Sequence, residues 1–269
     1  MRHNADAEFL LFLWFLAGGL TALSAWVAQR WVRLAQRRSR WNSRAPLVLL
    51  AAATLGTGLS GGIVLTLLAE ALAFPVGFDP VWALGLWLAM MAGCVPVMAG
   101  LSVTRGTGWV VGCSLLLALL CMALLMGWFE AAGFRPGLSW RRELVPVAGL
   151  MLAAGVGGGT WVAHVDIGQG TQYRNWWQLG GPVLVAFGLL VGHATMAMAA
   201  GLSTQKGSVY APELPGAILA VLCGVLIPLM LALMALNQTL RLRQRRRDGQ
   251  PEGLDMPRRR KRRNRIRTL

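Results

Sequence analysis

Charge is what this chain has least of. Only 14% of its 269 residues are Asp, Glu, Lys or Arg, against roughly 25% in soluble domains, and just 11 are acidic. So few charges cannot clothe a surface that faces water on every side. Cysteine is nearly as scarce: Cys94, Cys113, Cys121 and Cys223 all fall inside apolar runs and form no CxxC pair. They read as small apolar packing residues, which excludes a disulfide framework and a zinc site. The sequence also lacks a nucleophile paired with a base, an HExxH, and a glycine loop leading into Lys-Ser/Thr. Catalysis has no visible carrier, and a non-enzyme is expected.

What is present is apolar. Hydrophobic residues make up 55% of the chain and its mean hydropathy is +0.53. Seven long apolar stretches run in order: Phe9 to Val27, Leu47 to Leu72, Val81 to Val103, Trp109 to Ala131, Leu144 to Ala163, Gly181 to Leu202 and Gly216 to Leu236. Each reaches the length of about 20 residues that a hydrocarbon core requires. Backbone polar groups in lipid must be satisfied within the segment, and no barrel-like alternation appears, so all seven are expected to be helices. The fold class is therefore all-α and polytopic, with residues 1–240 as the transmembrane domain and 241–269 as a basic, disordered tail. The first stretch reads as a span, not a cleaved leader, because no cationic segment precedes it and Arg30 to Arg40 follow.

The net charge of +15 is flanking. With the N-terminus outside, 21 Lys and Arg fall on the inner side and five on the outer. The positive-inside rule then puts the C-terminus in the cytoplasm, the chain crossing its membrane several times. Trp26, Trp31, Trp41 and Trp109 mark the inner ends of spans and Trp82, Trp128 and Trp140 the outer ends, as interfacial belts do. Gly56, Gly58, Gly61 and Gly62 in the second stretch and Gly155 to Gly159 in the fifth read as close helix contacts. Pro96 and Pro228 lie within spans and are expected to kink them.

The outer loops resemble one another. Phe74-Pro-Val-Gly-Phe-Asp-Pro80, Phe134-Arg-Pro-Gly-Leu-Ser-Trp140 and, more weakly, Gly207-Ser-Val-Tyr-Ala-Pro212 place an aromatic at Phe78, Trp140 and Tyr210, spaced by 62 and 70 residues. That is the length of one helix pair with its loops, so one leading helix precedes three repeated pairs. This layout, with Gly56-Thr-Gly58, Leu72-Ala-Phe74 and Gly77-Phe-Asp-Pro80, resembles the MHYT family of bacterial membrane sensor modules from about Asp6 to Leu240. In that family each repeat carries Met-His-Tyr-Thr-Gly-Met or a variant, and the resemblance implies a copper site built from Met and His. Here Ile63 and Leu125 occupy the first two histidine positions. The third is kept in Gly192-His-Ala-Thr-Met-Ala-Met198, so the resemblance implies His193 as the one retained metal ligand. One His with one or two Met is a poor copper site.

His193 falls nine residues from the outer end of its stretch, roughly 13 Å at helical rise, and an ionisable residue inside a membrane is a functional candidate. Met196 can share its face, whereas Met198 points elsewhere. Glu70 and Glu130 lie near the outer ends of the second and fourth stretches. If they converge with His193, the three line an outward-facing pocket for a cation or protons. Arg258, Arg259, Arg260, Lys261, Arg262 and Arg263 concentrate charge in the tail, expected to bind anionic head groups, with RNA or an acidic cytoplasmic partner as the alternative. Nucleic acid is not the expected partner. The leading expectation is a membrane sensor or accessory module acting through another membrane or signalling protein or a second copy. A small metal or proton transporter using Glu70, Glu130 and His193, and a structural subunit of a membrane complex, are the alternatives.

Overall fold

The computed structural model describes residues 2–72, 74–103, 106–164, 171–202 and 205–247. Seven of its helices are long and apolar enough to cross a membrane, which supports a multi-pass membrane protein. They are α1 (Arg2–Gln36), α2 (Trp41–Leu68), α3 (Pro80–Leu101), α4 (Thr107–Ala131), α5 (Leu144–His164), α6 (Thr171–Ala200) and α7, which starts at Gly216 and continues to Arg247. The chain divides into units of residues 1–232 and 233–269, the division falling inside α7. Arg258 to Arg263 lie outside the described residues.

Hydropathy locates the spans, but the helices outrun it. α1 continues past Val27 through Arg30 and Arg33 to end at Gln36, and α2 starts six residues before the apolar run at Leu47. Local chemistry sets the ends. The Asp79 carboxylate accepts from the N–H groups of Val81 (2.8 Å) and Trp82 (3.0 Å), with Pro80 opening α3, an N-cap with proline at the first helical position. Gly133 and Gly201 follow α4 and α6 at φ 54° and 66°, the left-handed conformation in which helices commonly stop. Two helices carry a π turn: Ala153–Gly157 in α5 and Leu222–Leu226 in α7. The second sits just before Pro228, which has no N–H to give the regular ladder.

α2 is the central helix, touching α1, α3, α4, α6 and α7. Of its apolar window 72% is buried, against 28% in α4. Its glycines make this possible. A Cβ at Gly58 would collide with Ser24, one at Gly62 with Thr21, and one at Gly61 would come within 2.9 Å of Leu20. α1 thus sets three side chains into notches of α2. α5 and α6 meet more closely, backbone against backbone at Gly155 and Gly188, with Gly159 against the Gly181 carbonyl. The glycine stretches expected to be helix contacts are helix contacts, the geometry that dispersion in lipid rewards. Trp128 does not belong to an interfacial belt: it is fully buried, edge-on to Phe78 (5.7 Å) and Trp87 (6.4 Å). Its turn of α4 faces the bundle interior.

The two ends of the bundle differ. At one, the loops after α2, α4 and α6 are laced together. Phe134–Arg135 (β1) pairs antiparallel with Gly207–Ser208 (β2), and Gly77 bridges to Pro215. The N–H of Phe78 donates to the Leu214 carbonyl and that of Gly216 to the Val76 carbonyl, while Arg141 N–H reaches Ala199. The Ser208 hydroxyl accepts from Gly77 N–H at 3.1 Å and donates to the Ala132 carbonyl at 2.7 Å. At the other end the turns after α1 and α3 meet the end of α5 through side chains. Gln36 donates to the Leu101 carbonyl (2.8 Å), Arg33 to Ala163 (3.3 Å) and Trp109 to Gly100 (3.0 Å). We call these the laced end and the basic end.

Candidate functional site

The laced end covers an ionisable pair. α6 turns the face carrying Gly181, Gly188 and Gly192 toward α5, and His193, one residue on, is completely buried. Glu70 leaves the end of α2 just after the helix closes at Ala69, and its side chain is 24% exposed. His193 Nε2 lies 3.5 Å from Glu70 Oε1, an ion-pair distance beyond the 2.7–3.2 Å of a good N–H···O bond. The imidazole stacks on Phe129 of α4 (5.2 Å, 23° between planes) and meets Trp14 of α1 edge-on (6.0 Å, 78°). Four helices therefore contribute to one site.

Neither imidazole nitrogen has a hydrogen-bond partner among the described residues. A buried polar group left unmatched costs about 1–3 kcal/mol, and such groups in well-packed proteins call for a reason. The arrangement suits a proton or small cation that passes Glu70 and comes to rest beside the imidazole. A carboxylate stands on one side, and the ring face of Phe129, stacked on the imidazole, favours positive charge there.

Glu130 does not join the pair. Its exposed side chain accepts from Trp140 Nε1 at 3.2 Å; Trp140 packs edge-on against Phe129 (6.1 Å), the ring on which His193 stacks. The expected three-residue convergence is thus replaced by a two-residue site with Glu130 tied to it through two aromatics, because the loop after α4 folds back over Glu130. Among the described residues no three His, Cys, Asp or Glu side chains gather as a metal group would. Met196 is buried in the core and Met198 is 60% exposed on the outer face of α6, so helix geometry separates the two thioethers. Ile63 and Leu125 are fully buried core residues.

At the basic end, His164 Nδ1 lies 2.9 Å from the Thr160 carbonyl, one turn back in α5. Asp166, its neighbour in sequence, lies outside the described residues. Trp14 and Phe129, which sandwich His193, carry no sequence signal: each is an aromatic in an apolar run, and only the packing of α1 and α4 on α6 reveals them.

Fold and site together define a polytopic α-helical membrane protein with a buried ionisable pair under its laced end. No family model, curated protein or solved structure matches the chain.

Proposed function

We propose that the chain is a non-enzymatic membrane sensor or accessory module, a divergent MHYT-like unit of one leading helix and three helix pairs, with the Glu70–His193 pair as its receptor group. One observation carries this reading: a fully buried imidazole with no hydrogen-bond partner among the described residues, 3.5 Å from a carboxylate that reaches the surface. The split of basic residues supports a laced end facing the periplasm and a basic end facing the cytoplasm of a bacterial inner membrane. The pair takes up a cation or proton from the periplasmic side, and the change in helix packing is passed to a partner, either another membrane or signalling protein or a second copy of this chain. The tail holds anionic lipid. Copper binding in the family's mode is not expected, since one imidazole and outward-turned Met198 give too few soft ligands.

The test is thermal unfolding of the full chain in mild detergent across pH steps and with sodium, calcium, zinc and copper in turn. A ligand of the native state raises the midpoint by mass action. One cation should stabilise the wild type, and Glu70→Gln, His193→Ala and the double variant should lose that effect equally, the non-additivity of a single site. Independent, additive losses, or no cation dependence, would remove the receptor role and favour the structural subunit. Near-stoichiometric copper lost on His193→Ala would restore the family's metal mode. Cation flux in proteoliposomes abolished by Glu70→Gln would replace sensing with transport.

A further inference from the structure

The turn between α1 and α2 is strongly basic. Six arginines lie between Arg30 and Arg44 with no acidic residue among them. Arg38 and Arg40 are exposed. The Arg44 guanidinium is held over the turn by a 2.7 Å bond from Nη2 to the Arg38 carbonyl, while its buried Nε has no partner among the described residues. Arg40 occupies the N-cap of α2 without making a side-chain cap, and the first turn contains no acid. Positive side chains thus gather where the helix dipole is itself positive, an unfavourable arrangement unless an anion completes it.

Directly below lies an apolar strip. α2 is the most buried of the spans, yet its first turns expose Pro46, Leu49 (55%) and Leu50 (37%), with Trp41 (55%) at the boundary. Residues 46, 49 and 50 share one helix face by their spacing. Guanidinium groups at the turn, and a short aliphatic strip further into α2, place charge and apolar surface as the phosphate and acyl regions of a phospholipid do.

We propose that this turn is a binding site for an anionic phospholipid, its phosphate held by Arg38, Arg40 and Arg44 and its acyl chains lying along Pro46, Leu49 and Leu50. A guanidinium fork suits a phosphate's oxygens better than a point charge does. The proposal uses no residue of the Glu70–His193 pair, so it stands whether or not the proposed function does.

The experiment is native mass spectrometry of the full chain, delipidated in detergent and then given phosphatidylglycerol or phosphatidylcholine. The wild type should retain phosphatidylglycerol in preference to phosphatidylcholine, and inorganic phosphate at equal concentration should not displace it. Arg38→Gln/Arg40→Gln/Arg44→Gln should weaken retention by about 100-fold, at roughly fivefold per arginine near a lipid surface. Arg40→Gln alone removes a side chain that caps nothing, so it keeps the test valid if the triple variant misfolds; it should lose about fivefold. The same loss should appear when the arginine variants are made in a chain whose Arg258 to Arg263 are glutamine, since the tail holds lipid of its own. Equal retention of the two lipids, undiminished binding in the arginine variants, displacement by inorganic phosphate, or no further loss in the tail-replaced chain would each overturn the proposal.

Discussion

The two ends of the bundle are fastened by different chemistry. At the laced end the main chain does the joining: three loops exchange backbone hydrogen bonds through Phe134–Arg135, Gly207–Ser208, Gly77 and Pro215. At the basic end the side chains of Arg33, Gln36 and Trp109 reach carbonyls at helix ends. Backbone lacing fixes where each loop runs to within a bond's tolerance, and a buried imidazole needs that rigidity to stay beside a carboxylate. Side-chain fastening holds the ends of helices together while leaving Arg38 and Arg40 exposed to solvent or head groups. One end is built to position a pair, the other to present charge.

The comparison breaks most clearly at glycine. A Cβ at Gly77 would run into the Tyr210 carbonyl and the Ala211 backbone, whereas one at Gly106 meets nothing within 4 Å. Gly77→Ala should therefore cost about 3 kcal/mol, the upper part of the overpacking range, and Gly106→Ala far less, read as thermal unfolding in detergent. Equal effects would mean the lacing does not hold that end. Next comes Ser208→Ala, which strands Gly77 N–H and should cost about 1–3 kcal/mol. Gln36→Ala, the counterpart at the basic end, should cost about 1 kcal/mol; a larger loss there than at Ser208 would reverse the ranking of the two ends.

A smaller effect is expected from His193→Leu. Both imidazole nitrogens lack hydrogen-bond partners among the described residues, so an apolar side chain gives up little and relieves two unmatched groups; stability should stay within about 1 kcal/mol of wild type while cation dependence disappears. A loss of several kcal/mol would show that the imidazole is a structural keystone. Met198→Leu, on the outer face of α6, should change the midpoint least, by under roughly 0.5 kcal/mol, and a marked drop would place that face against a partner.

The spans were legible because lipid leaves the backbone no alternative to the helix, and an unbroken apolar run is enough to announce one. The glycines at 58, 62 and 155 were legible as contacts for the same reason. Helix ends were not: α1 and α2 continue into arginine-rich sequence that hydropathy discounts. The burial of Trp128 was missed because an aromatic near a span's end looks alike whether it faces lipid or the Phe78 ring. His193 and Glu70 stood out as ionisable residues in apolar surroundings, and the fold brings them within 3.5 Å of each other. Glu130 carried the same signal yet turns to Trp140; its direction depends on how the following loop folds, which spacing along the chain does not encode.

A cap laced by main-chain groups has a shape that few of its side chains determine. Gly77, Gly133, Gln205 and Ser208 are tied to that shape by close approach, a left-handed φ or hydrogen bonds to the neighbouring loop. Lys206, Val209 and Glu213 take part in it through their backbone. Natural drift or deliberate mutagenesis can therefore rewrite what the cap displays without redesigning the scaffold beneath it.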